Sequence, residues 1–391
     1  MLQPSRHGYH VALLSSGHFL NDFYCNFLPI LLPIIMPRLG LSLTITGLLV
    51  MVFSFTANVL QPFFGYFLDK HHVKRLLLSI IPFGAIFICA TGYVPNAFSL
   101  FFVVALSGIA VSVYHPLASN LIGKVASPKH AGLSLSLFVA GGNLGFALAP
   151  LILVYFTSRF SLEALPILIL PALILSLLYY TSGLYTVQTV TATAKTSKVL
   201  HFKELFKNAS LVKLNIAMGL RAWTHAAVST FLPILIVSRG NDTTFAGIML
   251  TIFLVGAALG GMVGGYFNDK FGYKKVIIIS LLLGVLPTML FFTSDEITPL
   301  TLLYLFICGA SLQAPQPSSI VWAQKLLPNY AGMASGMMMG LSFGLGGIGA
   351  AFTAALADFI GLSTALLMTT LPLALAAIVI MFTPQATAKK I

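Results

Sequence analysis

His18, Asn21 and Asp22 fall within five positions of one another in the stretch SSGHFLNDFYCNF, residues 15–27. Successive residues of a helix turn by about 100°, so these three and Cys25 share one face. Asp22 is the only Lys, Arg, Asp or Glu between Arg6 and Arg38. Two further stretches combine ionisable and hydroxyl groups at helical spacing: Ser112, His115 and Ser119, and Arg221, His225 and Ser229. An aspartate enclosed in an apolar cavity can take a proton from one side and release it to the other. His18 or His115 can share that proton, because histidine titrates near neutral pH. Arg221 offers a planar fork that binds a carboxylate or phosphonate through two parallel hydrogen bonds. A structural alternative stands beside each role. Asp22 can instead pair permanently with Arg221 or bond to Asn21, and His115 can act as a helix donor beside a kink at Pro116.

The elements that must position these groups are membrane helices. The chain has 391 residues, 58% hydrophobic and 8% charged, against about 25% charged in soluble domains. No Lys, Arg, Asp or Glu occurs in 39–68, 76–123, 130–158, 164–194, 243–268, 276–294, 326–357 or 359–388. A crossing helix needs roughly 20 apolar residues. Lipid satisfies no open backbone group, which leaves helices or a closed barrel, and a barrel's strands would alternate polar with apolar. Turn residues divide the runs into spans near 9–37, 43–68, 76–94, 98–123, 131–157, 163–184, 211–237, 243–268, 275–293, 299–324, 331–357 and 362–383. The expected fold is an all-α polytopic membrane protein of twelve such helices. The first span lacks a basic leader and a small-residue cleavage site, so it reads as a structural helix and not a signal peptide. Ionisable groups inside spans are costly and usually functional; here they are His18, Asp22, His115, Arg221 and His225. His10, Lys213 and Asp358 lie near span ends, where snorkelling to water is expected.

The net charge of +12 could suggest nucleic acid, but its distribution does not. With the N-terminus cytoplasmic, every Lys and Arg except Arg38, Arg159, Arg221 and Arg239 falls in a cytoplasmic segment. That is the positive-inside bias, and it places both termini inside. Cys25, Cys89 and Cys308 stand singly in apolar stretches, without disulfide or metal-ligand spacing. No nucleophile elbow, paired carboxylates or phosphate loop is present, so neither an enzyme nor an ATP-driven pump is expected. The glycine-rich run GLSFGLGGIGAA at 340–351 lies in lipid and reads as a packing seam and hinge. AGGNLGFALAP at 140–150 reads the same way, with small residues at Gly141, Gly145 and Ala149.

The chain is also duplicated. GYFLDKHHVKR at 65–75 recurs as GYFNDKFGYKK at 265–275, and HAGLSLSLFVAGGNLG at 130–145 is echoed by YAGMASGMMMGLSFGL at 330–345. FLPILLP at 27–33 returns as FLPILIV at 231–237. Two six-helix halves in one orientation follow, residues 1–185 and 208–391, joined by a cytoplasmic linker at 186–207.

Parallel six-helix halves are the layout of the major facilitator superfamily, and the loops at 65–75 and 265–275 resemble its signature G-x-x-x-D-[RK]-x-G-[RK]-[RK]. Gly65, Asp69, Lys70, Lys74 and Arg75 match in the first copy, Gly265, Asp269, Lys270, Lys274 and Lys275 in the second; His72 replaces a glycine. The resemblance implies gating roles for these residues at the cytoplasmic face. Within the superfamily, GHFLND at 17–22, LQPFFGYFLDK at 60–70, SVYHP at 112–116 and AGGNLGFALAPLI at 140–152 resemble the fosmidomycin-resistance family of drug-efflux transporters. That family carries polar or charged residues after the His-Pro, where this chain has Leu117, Ala118, Ser119 and Asn120, so family membership carries over further than drug identity. The resemblance implies that helices 1, 4, 7 and 10 line a central cavity, which gathers all the intramembrane charge. Asp22, His18 and His115 are then the proton-coupling candidates. Arg221, Asn21, His225, Gln61, Asn143, Gln313, Gln316 and Tyr114 are the substrate-binding candidates. The expected activity is proton-coupled antiport exporting a small anionic or amphipathic compound. Import of a metabolite or siderophore-like acid, by symport or facilitated diffusion, is the alternative. A bacterial inner membrane, a monomer in the lipid bilayer, a small-molecule substrate, and no cofactor or metal beyond the proton gradient complete the expectation.

Overall fold

A computed structural model of the protein describes residues 7–71, 75–127, 130–187, 208–294, 296–328 and 331–385, with the side chains of Asp69, Lys70, Ala331 and Gly332 outside that description. Among the described residues there are seventeen α-helices and no strand. They are α1 His7–Cys25, α2 Leu28–Leu39, α3 Leu43–Ser54, α4 Gln61–Lys70, α5 Leu76–Cys89, α6 Ala97–Val125, α7 Ala131–Thr157 and α8 Leu170–Thr181, then α9 Ala209–Ser238, α10 Thr243–Phe271, α11 Tyr273–Thr293, α12 Pro299–Gln313, α13 Pro315–Leu326, α14 Ala331–Gly336, α15 Ser342–Ile360, α16 Leu362–Met368 and α17 Thr370–Met381.

Ten helical segments are long and apolar enough to cross a membrane. The shorter apolar segment Leu76–Gly92 and the pair α12–α13 bring the crossing segments to twelve. Four helices begin where a side chain satisfies an orphan backbone N–H group. Asn96 accepts from Ser99 N at 2.9 Å, Asn208 from Leu211 N at 3.1 Å and Asp242 from Phe245 N at 2.6 Å. Thr298 and Thr301 form a reciprocal capping box. Several spans are interrupted where the sequence reads as continuous. The first breaks after Cys25 and resumes at Leu28, ahead of Pro29 and Pro33. The tenth breaks at Ala314, ahead of Pro315 and Pro317. Wider π-helical turns interrupt the second at Phe55–Val59 and the eleventh at Met337–Leu341. Proline supplies no N–H, and π turns mark points where an extra residue is accommodated.

The contacts divide the chain into two compact units, Met1–Leu31 with Phe55–Ser197, and Leu32–Ser54 with Lys198–Ile391. Leu32–Ser54 groups with the second unit because α3 packs along α15. A Cβ on Gly47 would meet Ala354 and the backbone of Ala351. The linker expected at 186–207 lies outside the described residues from 188 onward.

The duplication is visible inside each unit. A Cβ on Gly108 would lie 3.2 Å from Ala57 N, and one on Gly309 would lie 3.1 Å from Ala257 N. Gly65 likewise faces Pro116, and Gly265 faces Pro317. The same close approach thus recurs about 200 positions apart.

Asp358 is exposed, as its place near a span end suggests, and its carboxylate also caps the start of α3, accepting from Leu43 N at 3.2 Å, Thr44 N at 2.9 Å and Thr44 Oγ1 at 2.5 Å. Asp358→Ala is expected to lower stability by about 1 kcal/mol, the usual worth of a lost cap. Asp358→Asn, which can still accept, should retain most of it. Thermal melting of the purified protein in detergent compares the three.

Candidate functional site

α1, α6 and α7 build a cluster around Asp22 in the first unit. His18, one turn before Asp22, places Nε2 at 3.3 Å from Asp22 Oδ2. His115, on α6, places Nε2 at 3.5 Å from Asp22 Oδ1. Asn21 donates from Nδ2 to Asp22 Oδ1 at 2.9 Å and lies 3.5 Å from His115 Nε2. The His18 and His115 rings meet edge to face, centroids 5.2 Å apart. The Asp22 side chain is 17% exposed, so the carboxylate is partly desolvated and held by three polar neighbours, which offset that cost.

α7 supplies the other wall. Its backbone lies against α1 because Gly141 and Gly145 have no side chain: a Cβ there would come within 2.5 Å of Ser15 O and 2.0 Å of Phe19 O. At that separation Phe138 stacks on His18 with centroids 4.2 Å apart, and its carbonyl accepts from His18 Nδ1 at 2.8 Å. A carbonyl can only accept, so Nδ1 carries the proton. A hydrogen bond between His18 Nε2 and Asp22 Oδ2 would need one further proton, held either as imidazolium facing carboxylate or as imidazole facing carboxylic acid. The three ligand-type atoms of His18, Asp22 and His115 also lie within 4.8 Å of one another, although each imidazole already pairs with the carboxylate.

In the second unit α9 carries Arg221, which is 0% exposed. Its Nη1 donates to Leu312 O at 2.7 Å and to Gln313 Oε1 at 3.0 Å, and Nη2 donates to Gln316 Oε1 at 2.9 Å. Leu312 lies in the last turn of α12, where carbonyls lack intrahelical donors and a cation is favoured. Gln316 also donates from Nε2 to Met338 O in the π-helical turn, at 3.1 Å. The Phe343 ring lies 5.5 Å from the guanidinium carbon. His225, one turn further along α9, rests between the rings of Phe253 and Phe343.

The Asn21 hydrogen bond that stood as one structural alternative for Asp22 is present. The aspartate is held by two histidines and an asparagine, the arginine by three neutral oxygens. Among the remaining sequence candidates, Tyr114 is fully buried, its hydroxyl donating to Leu14 O at 3.3 Å. Gln61 donates to Ala57 O, inside the π-helical turn, at 2.9 Å. Asn143 is exposed, one position beyond Gly142. In the second signature loop Lys274 caps α17 through Met381 O and Thr383 O, at 3.0 and 2.9 Å. There Asp269 accepts from Asn268, and Lys270 lies over the Tyr266 ring at 4.6 Å. Lys275 and Arg75 are exposed. The side chains of Asp69 and Lys70, and all of His72 and Lys74, lie outside the described residues.

Sequence reading missed Gly142, Phe138 and Phe343. A Cβ on Gly142 would lie 2.5 Å from His18 Nε2 and 2.7 Å from Asp22 Oδ2. The signal was present, because the seam at Gly141 and Gly145 leaves the second glycine of the pair unexplained. Gly142→Ala is expected to push His18 off Asp22 and to cut transport by up to about a hundredfold, the scale of a roughly 1 Å misplacement at a reacting site. Uptake or release assays in vesicles, normalised to folded protein, measure it.

A family model described as Major Facilitator Superfamily matches residues 14–242 and 214–391. The fosmidomycin resistance protein of Escherichia coli (strain K12) is 28% identical over 361 residues, covering 89% of this chain and 86% of its own. Multidrug resistance protein MdtG of Salmonella paratyphi A is 26% identical over 282 residues, covering 68% of each. Among solved structures, a bacterial homologue of the human lysosomal transporter Spinster, inward-facing and unoccupied, superposes with a TM-score of 0.82 at 15% identity, covering 98% of both chains; that likeness concerns the fold. The matched residues, the twelve crossing segments and the duplicated halves agree: the chain is a membrane transporter and belongs to the Major Facilitator Superfamily.

Proposed function

We propose that the protein is a proton-coupled antiporter that exports a small anionic or amphipathic compound, with fosmidomycin or a related drug as the first candidate. The observation that carries this reading is the approach of two imidazoles to one carboxylate, His18 Nε2 at 3.3 Å from Asp22 Oδ2 and His115 Nε2 at 3.5 Å from Asp22 Oδ1. A carboxylate flanked by two imidazoles changes its proton count while its hydrogen bonds re-form. That property is expected of a coupling site and has no evident use in a static brace. Resistance to fosmidomycin and to multiple drugs in the names of two relatives supports efflux.

In the proposed cycle the cluster takes a proton on the outer side and gives it up in the cytoplasm. Binding of the anion at Arg221, with Gln313, Gln316 and His225 beside it, alternates with protonation. Asn21 orients the Asp22 carboxylate. The energy source is the proton gradient, without a cofactor. The protein acts as a monomer in the bacterial cytoplasmic membrane with both termini inside, in keeping with the distribution of Lys and Arg.

Asp22→Asn tests the proposal in proteoliposomes carrying an internal pH dye under an imposed pH gradient. Fosmidomycin should drive proton movement through the wild type and not through the variant, and the sign of the flux reports export or import. Equal substrate-linked proton flux in both proteins would sink the role of Asp22 and turn attention to His115.

A further inference from the structure

Arg221 has five N–H donors on a rigid fork, and the structure shows which of them are in use. Both Nη1 donors are occupied, by Leu312 O and Gln313 Oε1, and one Nη2 donor by Gln316 Oε1. Nε is buried and has no partner. In a guanidinium, the Nε–H and the inner N–H of Nη2 point the same way along one edge. Three of the five donors are thus engaged, and the side-on edge is left with its Nε donor unmet. An unpaired donor on a buried cation is costly, and a parallel pair of N–H groups matches two oxygens of one oxyanion.

The surroundings set the charge that can be accepted. No carboxylate pairs with Arg221 among the described residues. The polar groups on it from α12 and α13 are two amides and a carbonyl, and α15 presents the Phe343 ring. On its own helix the titratable neighbour is His225, flanked by Phe253 and Phe343. On α12 the thiol of Cys308 is already engaged with Thr288 Oγ1 at 3.0 Å. One negative charge neutralises the guanidinium; a second would be desolvated among amides and rings without a counter-charge.

We infer that the open edge of Arg221 is a side-on site for a singly charged oxyanion, such as a carboxylate, a sulfonate or a hydrogen phosphonate, and that it discriminates against dianions. The inference rests on the proposed role of Arg221 as the substrate anchor and adds the charge state of what it binds.

The test uses the purified full-length protein and two probes, a simple alkylphosphonate and its monomethyl ester, which cannot take a second charge. Affinities are measured by calorimetry from below to above the second ionisation of the phosphonate. The phosphonate should weaken about tenfold for each pH unit above that ionisation, because only the monoanionic fraction binds. The ester should stay level over the same range and so controls for titration of the protein. Arg221→Gln should lose both probes. If the phosphonate stays as level as the ester, dianions are accepted and the inference fails while Arg221 remains an anion anchor. If the ester weakens in step with the phosphonate, a protein group such as His225 titrates, and charge selection by Arg221 is likewise overturned. If wild type binds neither probe, or Arg221→Gln binds both as well as wild type, the anchor role itself fails.

Discussion

The closeness of α7 to α1 is the constraint from which the geometry around His18 and Asp22 follows. Lipid offers no hydrophobic drive between helices, so close packing of small residues has to supply the attraction. Gly141 and Gly145 let the backbone of α7 rest on Ser15 and Phe19. That approach brings the Phe138 carbonyl to His18 Nδ1 and leaves the bare Cα of Gly142 beside His18 Nε2 and Asp22. A seam two side-chain atoms wider would lose the carbonyl that sets the imidazole's tautomer. Packing and chemistry are here one interface.

The two buried charges are accommodated differently, and the difference bears on what each can do. Asp22 is surrounded by groups that can themselves carry a proton, so its charge can change with its hydrogen bonds intact. Arg221 is surrounded by amides and a carbonyl that do not titrate, so its charge stays while its geometry is held. Its anchorage depends on the turn at Ala314. That turn ends α12 at Gln313 and leaves the carbonyl of Leu312 in a helix terminus that welcomes a cation. Gln316 then ties the cation to the π-helical turn of the eleventh span through Met338 O. A span read as one straight helix would hide this connection.

The interruptions have two causes: two fall ahead of prolines, where the backbone loses a donor, and two at π-helical turns that take in an extra residue. In the first unit the π-helical turn at Phe55–Val59 sits directly after Ser54, where the chain passes from one compact unit to the other. The preceding helix, α3, is fastened to α15 along Gly47 and at its capped end by Asp358.

Charge-free runs, turn residues and the repeat at 65–75 and 265–275 were enough to specify an all-helical, duplicated membrane protein, because lipid admits few other solutions and periodicity is a local property of the chain. The spacing of His18, Asn21 and Asp22 likewise assigned them to one face. Which partner each charge takes was not legible there. His115 and Arg221 were both plausible for Asp22 by composition, and only the packing of α6 and α7 on α1 chose the histidines. Phe138, Phe343 and Gly142 are ordinary apolar residues whose roles come from a carbonyl, a ring face and a missing Cβ. Those depend on distances between helices far apart in sequence, and such distances are decided only when the side chains of both helices meet.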